Sequence, residues 1–264
     1  TNLDVVDIDG AVDMASTLVV AGTINTLGIT GPKSNFTNSI LISNDAGTGT
    51  LSAASNNTGL GFEVFDDLTT GDDNVAVGSQ AMHKVTTGGS NVAIGQLALG
   101  TNTTGADNIA IGKEALTALT TSGNNIAIGK DALKANTIGN TNVAIGTDAM
   151  TTNVAADRNV AVGEQALQNM TSSTSSDTYN TAVGYNAGLS VTTGTSNTMV
   201  GGLSLDANTT GSSNTAIGRS AMTANTTGGD NTSVGRGSMS SSTTGSNNAA
   251  LGFNALASNT TAAN

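Results

Sequence analysis

A repeat of 17 residues is the feature of this sequence that most limits its fold. Most copies open with Asn, a β-branched residue, Ala, Ile or Val, and Gly, as in residues 125–129, and the first copy, residues 57–61, is degenerate. The copies begin at Asn57, Asn74, Asn91, Asn108, Asn125, Asn142, Asn159, Asn180, Asn197, Asn214, Asn231 and Asn248. Their spacing is 17 residues throughout, except for 21 residues between Asn159 and Asn180. A short fixed period that fills residues 57–264 is typical of a solenoid.

The first five residues of each copy predict a short β-strand. Positions within a copy are numbered from its leading Asn, which is position one. Side chains alternate across a strand, so Ile126 and Ile128 face one side and Ala127 faces the other. Both sides are apolar, which predicts burial on both faces. One side can line the inside of a coil, and the other then needs a partner. Recurrent Gly, paired Thr and a period far from a whole number of helical turns argue against helices.

Three further positions of the repeat carry structural expectations. Gly at position five, from Gly61 to Gly252, predicts a positive φ or a close backbone approach at a corner. The leading Asn favours turns and left-handed conformations, and stacked Asn side chains can form a hydrogen-bonded ladder. The Ala-Leu pair, as in Ala115-Leu116, is expected to supply most of the core. The period leaves open whether this pair lies on a second strand or on a helical turn.

Most copies also contain Thr-Thr-Gly, as in residues 103–105. One interpretation is a turn or second strand with stacked hydroxyl groups, and the other is an ice-binding ladder of threonines. Adjacent residues of an extended chain point to opposite faces, whereas an ice-binding surface needs its threonines on one face. The structural interpretation is therefore favoured.

The one long copy marks a change along the array. Its extra residues fall within residues 170–179, and we expect them to form a loop on the outer surface. Position two is Val or Ile from Val75 to Val160 and is Thr at Thr181, Thr198, Thr215 and Thr232, while position four stays aliphatic. We therefore expect the environment outside this face to be more hydrated, or different in shape, beyond the insertion.

Residues 1–56 differ from the repeats and are predicted to form a β-rich shaft and linker segment. Loose alternation of apolar and polar residues with Gly punctuation, in residues 6–29, indicates short strands. A further short strand is expected at residues 40–42, between two linkers. Residues 7–10 (Asp-Ile-Asp-Gly) faintly resemble a calcium loop, but the remaining ligand positions are missing, which favours a solvated strand face.

Composition and charge exclude several classes of function. The chain has 8 basic and 19 acidic residues, for a net charge of −11, so nucleic acid and anionic lipid are not expected partners. Aromatic residues are only 2%, so the core must come from Val, Ile, Leu and Ala. Cysteine is absent, which excludes disulfides and thiolate metal sites. No apolar run is long enough to span a membrane, and no signal peptide is recognised.

The sequence predicts no catalytic, cofactor-binding or metal-binding residues, and hence no enzyme. His83 is the only histidine, which excludes metal sites built from several histidines as well as His-based triads. Residues 66–67 and 72–73 are pairs of Asp at turn positions, where solvated carboxylates are commoner than cation ligands. No glycine-rich turn is followed by the Gly-Lys-Ser/Thr of a phosphate-binding loop.

The Asn-x-Ala-Ile-Gly unit over residues 57–264 resembles the head repeats of YadA-like trimeric autotransporter adhesins. It is similar to the longer Asn-Thr-Ala-Ile-Gly, Ala-Leu and Thr-Thr-Gly arrays of phage tail fibre proteins. The resemblance implies a left-handed parallel β-roll in each protomer of a homotrimer, although autotransporter heads usually have shorter units. Residues 6–22 resemble the fibre shafts of marine phages.

Three functions follow from these observations as hypotheses. The first is a structural fibre segment of a bacteriophage virion that projects a host-attachment tip, with further fibre components and a host receptor as partners. The second is the head of a bacterial surface adhesin, and the third is an ice-binding solenoid. Because an open solenoid end exposes strand edges, we expect another domain or partner to continue from Asn264.

Overall fold

The computed structural model describes residues 36–37, 40–42, 52–172 and 174–261. The chain divides into two units, Thr1–Thr30 and Gly31–Asn264. The predicted strands within residues 6–29 and the candidate calcium loop at residues 7–10 belong to the first unit and lie outside the described residues.

The described residues contain short strands and no helix. The strands are β1 (Phe36–Thr37), β2 (Ile40–Ile42), β3 (Ala54–Ser55), β4 (Thr58–Leu60), β5 (Val75–Val77), β6 (Val92–Ile94), β7 (Ile109–Ile111), β8 (Ile126–Ile128), β9 (Val143–Ile145), β10 (Ala156–Asp157), β11 (Val160–Val162), β12 (Ser176–Asp177), β13 (Thr181–Val183), β14 (Thr198–Val200), β15 (Thr215–Ile217), β16 (Thr232–Val234) and β17 (Ala249–Leu251). Thirteen of them form one parallel sheet, in the order β17-β16-β15-β14-β13-β11-β9-β8-β7-β6-β5-β4-β2. Two small parallel sheets pair β1 with β3 and β10 with β12.

The register confirms a parallel β-solenoid with one coil for each repeat. Neighbouring strands align position by position, so that Ala110 pairs with Ala127 and Ile111 with Ile128. The register is kept across the long copy, where β11 pairs directly with β13. The predicted strand at Ile40–Ile42 is present as β2, and it pairs with β4. The sheet of the solenoid therefore begins before the first recognisable copy, within the segment predicted to be shaft and linker.

The core is a set of buried columns that run along the stack. Position three, usually Ala, faces inward and is fully buried in most coils, as at Ala127. Position eight is usually a buried Ala, position nine is usually a buried Leu or Met, and position twelve holds Leu, Val, Met, Asn or Ser. The expectation that the Ala-Leu pair fills much of the core is confirmed, with Ala115 and Leu116 both fully buried.

The leading Asn residues form the predicted ladder. In successive coils, the Asn backbone N–H donates to Oδ1 of the preceding Asn at 2.9–3.1 Å. The side-chain Nδ2 of most of these residues closes its own coil by donating to the carbonyl of position fifteen at 2.8–3.0 Å. The left-handed residue, however, is the one before the Asn, as at Asn124 with φ 61°. The Asn thus satisfies buried polar groups of two adjacent coils.

Position five is a sharp backbone corner, as predicted. Gly129 has a φ of +135°, which residues with a side chain rarely adopt. An added Cβ at this residue would lie 2.6 Å from the carbonyl carbon of Gly146 in the next coil. Both expectations, a positive φ and a close backbone approach, are therefore met at the same residue.

Positions six to eleven form neither a second strand nor a helical turn. They are consecutive turns in which positions seven and nine are left-handed, as at Glu114 (φ 59°) and Leu116 (φ 51°). The backbone N–H of Leu116 donates to Ala132 O in the next coil at 3.0 Å, and that of Glu114 donates to Gln96 O in the preceding coil at 2.8 Å. Contacts with both neighbouring coils therefore maintain a conformation that leucine rarely adopts in isolation.

The insertion separates two sets of coils, defined here as the N-terminal coils (residues 57–179) and the C-terminal coils (residues 180–261). The N-terminal cores are lined mainly by methyl groups, whereas the C-terminal cores bury Ser204, Ser233, Ser238 and Ser242. One C-terminal core is also rearranged. Gly188 replaces the usual Leu at position nine, and an added Cβ there would lie 2.6 Å from Sδ of Met199. Met199 replaces the usual Ala at position three and fills this space.

Candidate functional site

The largest candidate surface is the outer face of the long sheet, defined by positions two and four of β5 to β17. These side chains are half-buried or exposed, and Ile94 and Ile217 expose 40% and 38% of their surface. Among the described residues, no segment packs over this face as a second layer. In the N-terminal coils, both columns are Val or Ile; in the C-terminal coils, position two is Thr in four of five strands.

Such a face can exclude water against another apolar surface, but it offers no group for acid-base or nucleophilic chemistry. A contiguous apolar surface rimmed by polar residues is typical of a protein contact. The aliphatic part, from Val75 to Val162, is therefore the best candidate for a contact between protein chains in this molecule.

The two threonine columns have different roles. At position thirteen, the hydroxyl groups of nine threonines donate to the carbonyl of position thirteen in the next coil at 2.9–3.2 Å. At position fourteen, Thr70, Thr87 and Thr104 are exposed, but Ile138 and Ala155 interrupt this column. The first column is consistent with the structural interpretation of stacked hydroxyls. The second, interrupted column is the more exposed of the two, since most threonines of the first are half-buried.

The insertion has a smaller exposed part than predicted. Met170 is fully buried at position twelve and Thr178 is 4% exposed, so both belong to the coil. Residues 174–177 are exposed, and Ser176–Asp177 pairs with Ala156–Asp157 of the preceding coil. The expected outer loop is therefore present, but it is shorter than residues 170–179.

A polar cluster ties this loop to the preceding coil. Arg158 pairs with Asp177, and the Tyr179 hydroxyl donates to the same carboxylate at 2.8 Å. The hydrogen bond and charge of Asp177 raise the pKa of Arg158, and the hydrogen bond to Asp177 raises the pKa of Tyr179. Asp157 accepts hydrogen bonds from the Ser175 hydroxyl at 2.7 Å and from the Asn140 backbone at 2.6 Å. These groups satisfy one another and hold the loop against the coil.

The titratable residues considered in the sequence are also held by neighbouring coils. Nδ1 of His83 lies 3.6 Å from Asp66, and Lys84 lies 3.2 Å from Asp67. Asp72 accepts hydrogen bonds from the backbone and hydroxyl of Ser55 at 2.7 and 2.9 Å. Asp73 accepts one from the Asn56 side chain at 3.0 Å. The Asp pairs are thus engaged singly with the preceding or following coil rather than converging on one point.

A cluster of opposite charges spans two N-terminal coils. Lys134 pairs with Glu114 and, at 3.1 Å, with Asp131. The hydrogen bond from Lys134 lowers the pKa of Glu114, and those to Glu114 and Asp131 raise the pKa of Lys134. Burial raises the pKa of Asp131, but hydrogen bonds from Lys134 and Lys130 outweigh this and lower it. The cluster is an ion-pair network across two coils, and each of its charged groups has a partner of opposite charge.

The described part of the chain contains no group of three or more His, Cys, Asp or Glu residues arranged to hold a metal ion. It also contains no helix that could cross a membrane. Comparison with known proteins finds no matching family model, no matching curated protein and no matching solved structure. The candidate surfaces therefore have to be interpreted from their own chemistry.

One column was missed in the sequence, although the alignment of copies contains it. Position six carries four of the eight basic residues: Lys113, Lys130, Arg219 and Arg236. The same position holds exposed aromatic residues, Phe62, Tyr185 and Phe253. Comparison of the copies column by column, rather than by their shared motif, would have revealed this concentration.

Proposed function

We propose that the chain is a structural segment of an extracellular fibre, a tail or capsid fibre of a bacteriophage virion, which projects a host-attachment tip. The observation that carries this proposal is the unbroken register of thirteen parallel strands. At about 4.8 Å between strands, the sheet extends for about 58 Å. Length and stiffness from repeated short units are what a spacer requires.

Two bonding patterns support a stiff spacer. Each strand is paired with its neighbours, and the buried Asn ladder adds a second set of bonds between coils at 2.9–3.1 Å. In a solenoid, stability comes mainly from such contacts between adjacent units. The assignment to a virion rests on the resemblance of the repeat to tail fibre arrays.

The fibre segment is proposed to be a homotrimer, with the aliphatic outer face of the N-terminal coils turned toward the other copies. A face of Val and Ile along six strands, β5 to β9 and β11, would be covered by self-association, and identical protomers form closed symmetric assemblies. The threefold order is taken from the resemblance to trimeric fibres and adhesin heads.

A substitution on this face tests the assembly separately from the fold. Ile128 is half-buried in the single protomer, so Ile128→Asp should leave the coil folded but weaken a contact that desolvates this residue. Thr215→Asp, on the same face of a C-terminal coil, is the matched control. Mass measurement in solution should give a trimer for the wild-type protein and a smaller species for Ile128→Asp. A stable wild-type monomer would refute the trimer.

Imaging distinguishes the proposed location from the alternatives. An antibody raised against residues 57–264 should label tail or capsid fibres of virus particles. Labelling confined to bacterial surfaces would instead favour the head of a trimeric surface adhesin. Depression of ice growth by the purified protein would favour the ice-binding interpretation, against which the internally bonded hydroxyls of position thirteen argue.

A further inference from the structure

The net charge of this chain is confined to one part of it. Residues 180–264 contain only four charged side chains, Asp206, Asp230, Arg219 and Arg236, which cancel. The whole net charge of −11 therefore belongs to residues 1–179. Because salt screens exposed charges beyond about 8 Å, an anion near the C-terminal coils experiences their local charges rather than the total.

The two arginines of this region lie side by side on the surface. Both occupy position six of adjacent coils, and Gly237 N donates to Arg219 O at 3.0 Å between these coils. Stacked positions of neighbouring coils are about 4.8 Å apart. Both side chains are exposed. The surface thus presents two guanidinium groups from directly adjacent positions.

Neither arginine has an acidic partner among the described residues. In the N-terminal coils, the lysines at the same position are neutralised from position seven, Lys113 by Glu114 at 3.4 Å and Lys130 by Asp131 at 3.2 Å. In the C-terminal coils, the residues after the arginines are Ser220 and Gly237. The two like charges are therefore left adjacent and uncompensated, an arrangement that a bridging anion would stabilise.

The acidic residues of this region are not directed to the arginines. Asp206 accepts a hydrogen bond from the Thr223 hydroxyl at 2.6 Å. Asp230 occupies position seventeen, before the strand, whereas the arginines follow the glycine corner at its end. The local field at position six of the C-terminal coils is consequently positive.

Aromatic rings flank the arginines in the same column. The order along the stack is Tyr185, Gly202, Arg219, Arg236 and Phe253, which we call the position-six ribbon. The Arg236 guanidinium lies 4.5 Å from the centroid of the Phe253 ring. Tyr185 and Phe253 expose 53% and 63% of their surface. At Gly202, an added Cβ would have only one neighbour within 4 Å, at 3.8 Å, so a gap separates Tyr185 from Arg219.

We propose that the position-six ribbon binds an acidic polysaccharide. A sugar carboxylate would bridge Arg219 and Arg236, because guanidinium groups match carboxylates in bidentate geometry. The apolar faces of neighbouring sugar rings would pack on Tyr185 and Phe253. The ribbon is about 19 Å long over four coil intervals, which suits an extended polymer.

The charge distribution favours a sparsely charged polymer over nucleic acid. A nucleic acid carries a charge at every residue, and beyond a short contact with the ribbon it would meet the acidic N-terminal coils. A polysaccharide with neutral sugars between its carboxylates requires only one charged contact and offers uncharged rings to the aromatic residues. This site is independent of the fibre assignment and of the trimer.

Direct binding to the full 264-residue chain tests the proposal, with oligogalacturonate as the probe and dextran as the uncharged control. Calorimetry should show saturable binding of oligogalacturonate that weakens with added salt, and none of dextran. Arg219→Gln combined with Arg236→Gln should weaken it at least tenfold. The matched control, Lys113→Gln with Lys130→Gln, removes two charges at the same position and should leave the affinity unchanged. Failure of the wild-type chain to bind, or equal losses in both double variants, would overturn the proposal.

A second pair of variants distinguishes a polysaccharide from an acidic peptide. Tyr185→Ser should weaken the binding of oligogalacturonate severalfold, whereas Tyr179→Ser, which removes a comparably exposed ring outside the ribbon, should not. Poly-glutamate serves as the acidic peptide probe. If it binds as tightly as oligogalacturonate and Tyr185→Ser has no effect on either, the surface is a peptide site and the proposal is wrong. Unchanged circular dichroism of each variant establishes that the coils remain folded.

Discussion

The N-terminal and C-terminal coils share one backbone but differ in the side chains of the outer face, in parts of the core and in charge. Both sets have the Asn ladder, the glycine corner and the same register across the insertion. On the outer face, Val and Ile give way to Thr at position two, and in the core, serines replace some of the methyl groups. The two sets also differ in charge, since all of the net charge lies before the C-terminal coils.

This difference shows which positions of the repeat carry the fold. Positions one and five are the same in all twelve copies, because they satisfy buried backbone groups and allow the corner. Positions two, six and seven vary because they face outward, and they can be adapted to different contacts without altering the coil. A buried hydroxyl is less well accommodated, and Ser204 and Ser242 have hydroxyl groups without a hydrogen-bond partner in the described structure.

The largest effect is expected at the glycine corner and should be equal in the two sets of coils. Gly129→Ala and Gly218→Ala would each place a Cβ 2.6 Å from the carbonyl carbon of the next coil, at a φ of +135° and +131°. Each should cost about 3 kcal/mol or more, from backbone strain and overlap together. Gly202→Ala, with open space around its Cβ, is the control. Denaturant unfolding measures the free energy of unfolding of all three variants. A much smaller loss for Gly218→Ala than for Gly129→Ala would show that the backbone of the C-terminal coils is less tightly packed.

The Asn ladder provides the next test of whether the two sets of coils share one backbone structure. Asn125→Ala removes the acceptor of the Asn142 backbone N–H, and Asn214→Ala removes that of Asn231. A buried donor left without a partner costs about 2 kcal/mol, so both variants should lose this much stability. Asn124→Gly, at an exposed left-handed residue, should be neutral. Hydrogen exchange of the two amides reports the loss directly, and continued full protection would contradict the role of the ladder.

The rearranged C-terminal core can be converted to the regular pattern. Met199→Ala alone leaves the space beside Gly188 empty and should cost about 2–4 kcal/mol. Gly188→Leu alone would overlap Met199 and should also destabilise the protein. The double variant recreates the Ala and Leu of the other coils and should recover most of the loss. A double-mutant cycle measures this coupling. Additive losses would mean that the two residues do not compensate each other.

The junction between the two sets should tolerate shortening. Deletion of residues 172–175 removes the hydrogen bond between Ser175 and Asp157 and the Ser172 carbonyl that accepts from the Ala155 N–H, but Ser176 then follows Thr171 and supplies a carbonyl at the same position. The strands β11 and β13 stay paired, so we expect a change below about 1 kcal/mol. Met170→Ala, a few residues earlier, should cost about 2–4 kcal/mol because Met170 is fully buried. Thermal unfolding of both variants defines where the core ends and the loop begins. A deletion as harmful as Met170→Ala would show that the loop is packed.

The smallest expected effect is a pH dependence confined to the N-terminal coils. The pKa of Glu114 is lowered in the folded state by Lys134, so its contribution is present above the ordinary pKa and is lost as the pH falls through the lowered value. Glu114→Gln should therefore destabilise the protein near pH 6 by less than about 1 kcal/mol and have no effect at low pH. Melting temperatures measured across this range check the trend. A difference that grows on acidification would have the wrong sign for this ion pair.

The sequence by itself determined the repeat unit, the parallel strands and their facing. The Asn-x-Ala-x-Gly pattern predicted strands at positions two to four, because alternation of side chains and a glycine at the corner leave few other arrangements. The Asn ladder followed from identical amides at a fixed spacing. The surfaces were only partly predictable: the change at Thr181 was visible, whereas the position-six ribbon required comparison of residues that share no motif.

The path of positions six to eleven was decided only by the tertiary structure. Leu116 and Glu114 have no intrinsic preference for a left-handed backbone, so neither propensity nor period could indicate one. Their backbone N–H groups bond to coils on opposite sides, and the Leu116 side chain is fully buried between them. Met199 likewise fills the space beside Gly188. The side chain that fits at a core position depends on the volume that the adjacent coil leaves unfilled. In a solenoid, the neighbours that decide a conformation lie one full coil away, beyond the reach of local sequence preference.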